Sequence, residues 1–469
     1  MEQAFTNAHN PCMPLSDQYL GQTFSLPMPP PNITGKLHLG HALDLNLQDT
    51  LIRWYAQRSA QTRWTPGSDH AGLATHEKIL GACPHLQGHT FTPGSRTSDP
   101  LYQDYMNAAH KWTQKHQGII FEQFGALHPY TSLSAPRFTM DDAYQRHALT
   151  ALAQLQPDLR WEEGHLLLDL KESRHALMDA LERCEIHCEP AGHKQRLLAM
   201  LREDRPWDIG RSIPWGLPIP AWCHELPGSN PEQLTLDTWF NSSLWPSAMH
   251  PDEATPLDAL ITGYDIAFFW GARMCMMHHA LYGSWPFKEI RLHGLIRDEH
   301  GQKFSKSLGN GIDPLDILSH EGSDALRIWC LENAAWGRDI RCKREDIFKC
   351  GALPTKMLNA SRWFLMNQPN EEIAQAPALT PWSFDQLDEE IERLMNNYEL
   401  DKAWKCLRKA AWSQWCEGWL MQNKEAIRGS QEGWRGALGL HRQWLTRLHP
   451  FMPASTWWLD DALQEYYIE

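Results

Sequence analysis

Along the chain, the spacing of hydrophobic positions alternates between two periods. Residues 23–28 carry Phe24, Leu26 and Met28 at every second position, as a strand does. From 38 to 58 the spacing becomes helical, with apolar Leu39, Ala42, Leu43, Leu47, Leu51 and Trp54. A second strand over 61–65 runs into Pro66-Gly67-Ser68-Asp69-His70-Ala71-Gly72. Strand, helix and strand in this order predict a parallel α/β sheet, with ligands expected at the carboxyl ends of its strands. Residues 82–100, rich in Gly, Pro, Ser and Thr, predict a loop.

From about 101 to 225 the pattern is one of polar helices, 102–123, 140–155 and 172–201, followed by a Trp- and Pro-studded segment from Trp207 to Trp222. This stretch reads as an insertion splitting the sheet domain. The α/β pattern returns with a strand near 257–262, a helix from about Asp265 to Leu281, a strand at 287–293 and the loop Arg297–Asn310. Beyond about 345 everything reads as helix, punctuated by Pro381 and by Pro450-Phe451-Met452-Pro453. There is no internal repeat and no low-complexity tract.

Composition narrows the picture. A chain of 469 residues is too long for one simple core, so two to four domains are expected. The formal charge of −14 argues against a protein coated throughout by nucleic acid, and leaves room for a local basic face. The 23 tryptophans read chiefly as core and interface bulk. Residues Met1 to Phe5 show no basic or apolar leader, and the nearest approach to a spanning segment, Ile266–Leu281, carries Arg273, His278 and His279. A soluble, cytoplasmic protein without membrane partners is therefore expected. Eleven scattered cysteines suit free thiols in a reducing compartment. Cys184 and Cys188, four apart on a predicted helix, with His193 nearby, could offer zinc ligands. No second pair sits at a familiar distance, so buried or incidental thiols are the reading and no metal site is assigned.

Candidate chemistry starts at Pro29-Pro30-Pro31-Asn32-Ile33-Thr34-Gly35-Lys36-Leu37-His38-Leu39-Gly40-His41. A proline-stiffened loop ends in two histidines, three apart, flanking a glycine in what is predicted to be the first turn of a helix. Helix N-termini carry unpaired N–H groups and partial positive charge, imidazoles can donate to phosphate oxygens, and a glycine lets a flat base approach the backbone. Taken alone, the pair reads equally as ordinary helix-start histidines. Far along the chain, Lys303-Phe304-Ser305-Lys306-Ser307 makes a cationic loop among small hydroxyls. Such a loop can neutralise charge developing on a polyphosphate. On its own it is also an ordinary solvated loop.

The two motifs in this order resemble the paired H-x-G-H and K-M-S-K-S signatures of the class I aminoacyl-tRNA synthetases, with Phe304 in place of methionine. Residues 67–72, Leu236-Asp237-Thr238-Trp239-Phe240, Thr262-Gly263-Tyr264-Asp265-Ile266, Phe269-Trp270, 294–310, Gly337-Arg338-Asp339-Ile340 and His449-Pro450-Phe451-Met452-Pro453 are similar to the valyl branch. The resemblance implies a Rossmann-like, parallel-sheet nucleotide-binding catalytic domain in two halves, 1–85 and 226–345. It also implies a shortened connective insertion, 86–225, and an all-α anticodon-binding-like domain, 346–469. By the same likeness His38, His41, Lys303 and Lys306 would handle the phosphates of ATP, accompanied by Mg2+. Asn32, Gly40, His293, Gly294, Ser305 and Ser307 would border the nucleotide, although His293-Gly294 at a strand end reads equally as a turn. Asp69 would pair with the α-ammonium of the amino acid; without the family context it would read as a turn or cap aspartate. Trp239, Ile266 and Trp270 would wall a small aliphatic pocket that Pro29 and Pro30 narrow. The similar isoleucine enzymes have glycine at the position of Pro29, which favours valine. A monomer is implied.

The sequence also departs from that family. After Phe138-Thr139-Met140-Asp141 it passes quickly to Arg205-Pro206-Trp207, with no room for a hydrolytic editing domain and without the family's zinc cysteines. Apolar pockets reject a hydroxylated isostere only about a hundredfold, the valine synthetases being themselves the worked case of that rule. Activation of threonine without its clearance is therefore expected. The terminal coiled-coil arm is also expected to be missing. Residues 402–447 hold nine Lys/Arg against three Glu, a candidate RNA footprint whose plain alternative is a solvated cationic helix side. Residues Gly210 to Pro220 lack the family's bulkier polar residues, which bears on acceptor handling. Three functions remain: an editing-free valine–tRNA ligase, a paralogue delivering the activated amino acid to a carrier protein, peptide or small molecule, and a non-catalytic RNA-binding or regulatory relic.

Overall fold

The computed structural model describes residues 13–468 apart from 90, 92–98, 132, 134, 204, 230–233, 250–255, 305–311, 371–372 and 374–375. Strand Thr23–Leu26 pairs in parallel with Gln61–Trp64, and the helix Leu39–Ala56 makes the crossover between them. In the second half, Leu257–Gly263 and Phe287–His293 pair in parallel over nearly their whole length. The two halves meet where Thr23–Leu26 lies beside Leu257–Gly263, and the Ser25 N–H donates to Asp258 Oδ2 at 2.8 Å. Their apolar faces are closed off by the crossover helix, whose Leu39, Leu43, Leu47 and Leu51 are buried.

The third strand of the second sheet comes from the residues read as an insertion. His187–Glu189 pairs in parallel with Phe287–His293, Cys188 opposite Ile290. The predicted helix 172–201 is thereby corrected to helix Lys171–Glu182, this strand, and helix Ala191–Leu201. The helical period is interrupted at Cys184, held at φ 58°, and at Pro190, which lacks an N–H and caps the second helix instead of continuing the first. Cys184 and Cys188 therefore do not share a helix face. His193 stacks on Tyr264 with ring centroids 4.3 Å apart, and its Nε2 lies 3.1 Å from the Gly337 carbonyl oxygen. Among the described residues no three His, Cys, Asp or Glu side chains converge as metal ligands. Elsewhere in this stretch, Leu159–Glu162, His165–Leu168 and Trp207–Asp208 form a small antiparallel sheet.

The predicted helix 265–281 contains three geometries: a tight turn at Tyr264–Ile266, a π-helical turn at Phe268–Ala272 and an α-helix at Arg273–Tyr282. Gly283 at φ 67° ends it in the left-handed conformation that glycine adopts without penalty.

The region beyond 345 is helical, and its large buried side chains include Trp404, Trp415, Trp434 and Trp444. It is keyed to the first helix by a buried ion triad. Asp49 lies 2.8 Å from Arg53 and 2.6 Å from Arg327, and Arg327 also donates to the Pro450 carbonyl at 3.0 Å. Removing one member would strand a buried charge at a cost of about 3–5 kcal/mol. Five of the nine cations in 402–447 are engaged by carboxylates in the fold. Lys402 pairs with Glu399, Lys405 with Asp401, Arg408 with Glu332, Arg442 with Asp460 and Arg447 with Asp388. All five partners lie outside the window that made the count positive. Among the described residues, no helix is long and apolar enough to cross a membrane.

Candidate active site

His38 is the N-cap of helix Leu39–Ala56. Its Nδ1 accepts the Gly40 N–H at 3.0 Å, while the His38 N–H donates to His41 Nδ1 at 3.1 Å. Each ring thus spends Nδ1 as an acceptor, which fixes a neutral imidazole with its proton on Nε2. Electrostatics agree. The dense protein around the His38 ring, together with the Lys303 cation, lowers its pKa from 6.5, even though part of the residue reaches solvent. Burial and the neighbouring His38 hold His41 well below that value. The two rings, 3.8 Å apart, present two neutral N–H donors at a helix N-terminus. A Cβ at position 40 would stand 2.8 Å from the His38 ring, so glycine here also makes room for the cap.

Lys303 reaches the same place from the far motif. Its backbone bridges Arg297, its ammonium stands 3.6 Å from Asp265 Oδ2, and its charge acts on His38. Lys306, Ser305 and Ser307 lie outside the described residues. Asp265 was quoted in the sequence only as part of a motif; its position beside Lys303 and within electrostatic reach of His38 and His293 makes it part of the site.

His293 ends its strand with Nδ1 donating to the Gly294 carbonyl at 2.8 Å and Nε2 standing 3.4 Å from Asp44 Oδ1. Burial alone would lower its pKa, but the Asp44 carboxylate raises it above the ordinary value. Its shift is thus opposite in direction to those of His38 and His41. Asp44 sits one turn into the motif helix and was not singled out by sequence. Gly294 has a demand of its own, since a Cβ there would fall 1.7 Å from the Arg338 carbonyl oxygen. Glycine is required by the chain crossing behind it.

Asp69 is almost fully buried. Its Oδ1 accepts from Ala71 N–H at 3.0 Å, Thr139 Oγ1 at 3.1 Å and Thr238 Oγ1 at 3.0 Å, and its Oδ2 accepts from Ser242 at 2.5 Å. Only neutral donors surround this carboxylate, apart from the His70 ring at 3.3 Å, whose pKa is lowered chiefly by burial. The backbone of Asp69 is bound to the proline loop on both sides. Its N–H donates to the Pro31 carbonyl at 2.9 Å, and its carbonyl accepts the Ile33 N–H at 3.1 Å. Asn32, between them, projects to solvent. Thr238 and Ser242 also belong to the short helix that carries Trp239, so hydrogen bonds tie the acid to the element bearing the aromatic wall. Trp239 stacks on Phe269 at 4.7 Å and meets Trp270 edge-on at 5.1 Å. Ile266 is half-buried one helical turn before Trp270, Pro30 is buried and Pro29 half-buried.

Two imidazoles and a lysine at a helix N-terminus, with a buried carboxylate and an aromatic wall on neighbouring elements, make an arrangement suited to holding a polyphosphate and a small ammonium-bearing molecule. The profile of tRNA synthetases class I (I, L, M and V) matches residues 6–168 and 230–343, more than half of the chain, and the chain belongs to this family. Its ligase chemistry, with ATP, an amino acid and tRNA as substrates, follows from that membership. Among its relatives, the valine–tRNA ligase of Bacillus subtilis (strain 168) is 25% identical over 660 residues, covering 93% of this chain and 74% of the relative. That of Gluconobacter oxydans (strain 621H) is 24% identical over 682 residues, with 93% and 76% covered. In three dimensions, the methionyl-tRNA synthetase of Mycobacterium tuberculosis in complex with methionyl-adenylate superposes with a TM-score of 0.70 at 15% identity, over 94% of both chains.

Proposed function

We propose that this chain activates valine with ATP to valyl-adenylate and transfers it to tRNA(Val), without hydrolytic editing. The observation that carries the proposal is the double histidine cap. Two imidazoles, each with Nδ1 engaged by a backbone N–H, leave Nε2 as the donor, and the Lys303 charge acts on the first of them. In the reaction the valine carboxylate attacks the α-phosphorus and the bond to the bridging oxygen breaks, releasing pyrophosphate. His38 and His41 would donate to the phosphate oxygens as charge develops. Lys303, with Lys306, would neutralise the departing pyrophosphate. Neutral donors suit the first task because they stabilise oxyanions without binding ATP too tightly in its ground state. Asp69 would hold the α-ammonium while Trp239, Ile266, Trp270 and Pro29 bound the side chain. Mg2+, used with ATP by this family, would enter on the phosphates, since the described residues offer no converging ligand set of their own. A tRNA hydroxyl then attacks the valyl carbonyl and AMP leaves.

Lack of editing is supported by length. The Bacillus anthracis relative aligns over 661 positions that take in 93% of the 469 residues of this chain, about 436, so about 225 positions of the matched span, a whole domain's worth, have no counterpart here. A second reading, transfer to a non-tRNA acceptor, is favoured by the pairing of five of the nine cations in 402–447. Charging of total tRNA with labelled valine separates the two. Valyl-tRNA formation supports the first reading; adenylate formation without charging supports the second.

A further inference from the structure

Between the insertion and the helix that carries Arg273 lies a cavity of about 400 Å³, which the synthetase reading does not use. Four arginines line it: Arg174, Arg205, Arg211 and Arg273, together with Trp207 and Phe268. The insertion brings the first three and the π-turned helix brings the last, so the site exists only once the two parts have docked. Arg174 is 7% exposed and donates to the Arg205 carbonyl at 3.5 Å. Arg211 donates to Asp237 Oδ2 at 2.8 Å and to the carbonyls of Asp208 and Gly210. Arg273 stacks 4.0 Å over Trp207, and its Nη1 has no hydrogen-bond partner, with Asp237 Oδ2 at 3.8 Å its nearest ion pair.

The carboxylates facing this cluster are largely engaged. Asp208 accepts from the Gly210 N–H at 3.1 Å and from His165 at 2.8 Å, and Asp237 is bound by Arg211 and by Trp207 Nε1 at 3.0 Å. Glu203 is the remaining acid on the lining. A buried guanidinium N–H without an acceptor is costly to leave unmade, and a planar donor fork stacked on an indole is suited to a carboxylate or phosphate.

We propose that this cavity is a binding site for a small anionic molecule, carrying a phosphate monoester or carboxylate on a planar or apolar body. The anion would sit on Arg273 and Arg174, with the Arg205 guanidinium closing over it from the rim of the cavity, and the body against Trp207 and Phe268. Three observations favour a small molecule over an extended polyanion: the cavity holds one ligand of modest size, five of the nine cations in 402–447 are paired by carboxylates, and the chain carries a net charge of −14. Asp237 caps the helix that bears Trp239, so an occupant would press on the wall of the amino-acid pocket.

The test is calorimetric titration of the full chain with phenyl phosphate, run with the nucleotide site saturated by a non-hydrolysable ATP analogue. Phenol serves as the uncharged counterpart and a short oligoribonucleotide as the polyanion. Binding of phenyl phosphate at least about tenfold tighter than phenol, weakened about tenfold or more by Arg205→Gln, is the expected result. Arg205 is exposed, so this variant keeps the fold; Arg174→Gln, checked by thermal melting, should behave alike. No binding at millimolar phenyl phosphate, equal binding of phenol, or indifference to both substitutions would overturn the site. Binding of the oligoribonucleotide alone would overturn its assignment to a small molecule.

Discussion

Replacing His38 by asparagine separates the two tasks that its ring combines. Asparagine places an oxygen where Nδ1 accepts the Gly40 N–H and is among the best N-cap residues, but it has nothing at the position of Nε2. Thermal stability should therefore stay within about 2 °C of the parent. What is lost is one hydrogen bond from a neutral donor to a charged phosphate, worth about 1.5–3 kcal/mol, or roughly tenfold to 150-fold in kcat/KM. Valine-dependent exchange of pyrophosphate into ATP measures this directly, and His38→Gln, which loses the cap, should lower stability as well. The pH profile adds an independent check. Both folded histidines have pKa values below 6.5. Their contribution to stability is complete above the unfolded value of about 6.5 and is lost as pH falls through the lowered folded values. Exchange should accordingly hold steady from pH 7 to 8. Full activity in His38→Asn, or a rate that falls as pH rises through 6.5, would refute neutral Nε2 donors and require an imidazolium.

Other outcomes follow from the same geometry. Asp69→Asn should raise KM for the amino acid at least about a hundredfold, because a buried charged hydrogen bond is worth several kcal/mol. It should also lower the melting temperature, since Thr139, Thr238 and Ser242 lose an ionised acceptor. Pro29→Gly should raise isoleucine-dependent exchange relative to valine by about tenfold or more, the worth of one methylene in an apolar pocket, measured on the same exchange assay. Threonine should support exchange within about a hundredfold of valine, and threonyl-tRNA hydrolysis should run at the uncatalysed rate. In the helical region, burial lowers His441 to about 3. Its Nδ1 accepts from Trp415 Nε1 at 3.2 Å and its Nε2 lies 2.9 Å from Ser361 Oγ. The unfolded chain takes up that proton near 6.5, so stability should fall as pH drops below that value. His441→Gln should flatten this acid limb in urea melts across pH 4–7.

What the sequence displayed was local. The N-cap at His38, the crossover helix behind it and the strands 23–26 and 61–64 follow from residues within a turn or two of each other, and local rules recover them. The far motif was legible as chemistry, and Lys303 does meet Asp265. Asp44 escaped notice because its pairing with His293 joins positions 249 residues apart through the fold, and it stands in no distinctive string. Helix 172–201 was overextended because polar helical periodicity does not register a three-residue strand whose partner, Phe287–His293, lies a hundred residues on. The charge of 402–447 was incomplete for a similar reason: a window counts its own arginines but not Glu332, Asp388 or Asp460, which fold against Arg408, Arg447 and Arg442. Gly294 shows the converse case, a residue set apart for the nucleotide whose side-chain space is filled by the backbone at Arg338.

Amino-acid activation at the His38, His41, Lys303 and Asp69 site is tested most directly by ATP–pyrophosphate exchange with the purified chain across a panel of the twenty amino acids. Valine should give the highest kcat/KM, with threonine trailing by about a hundredfold, and Asp69→Asn should abolish the valine signal at micromolar concentrations while leaving a folded protein. Absence of exchange with every amino acid, or exchange indifferent to Asp69, would contradict it.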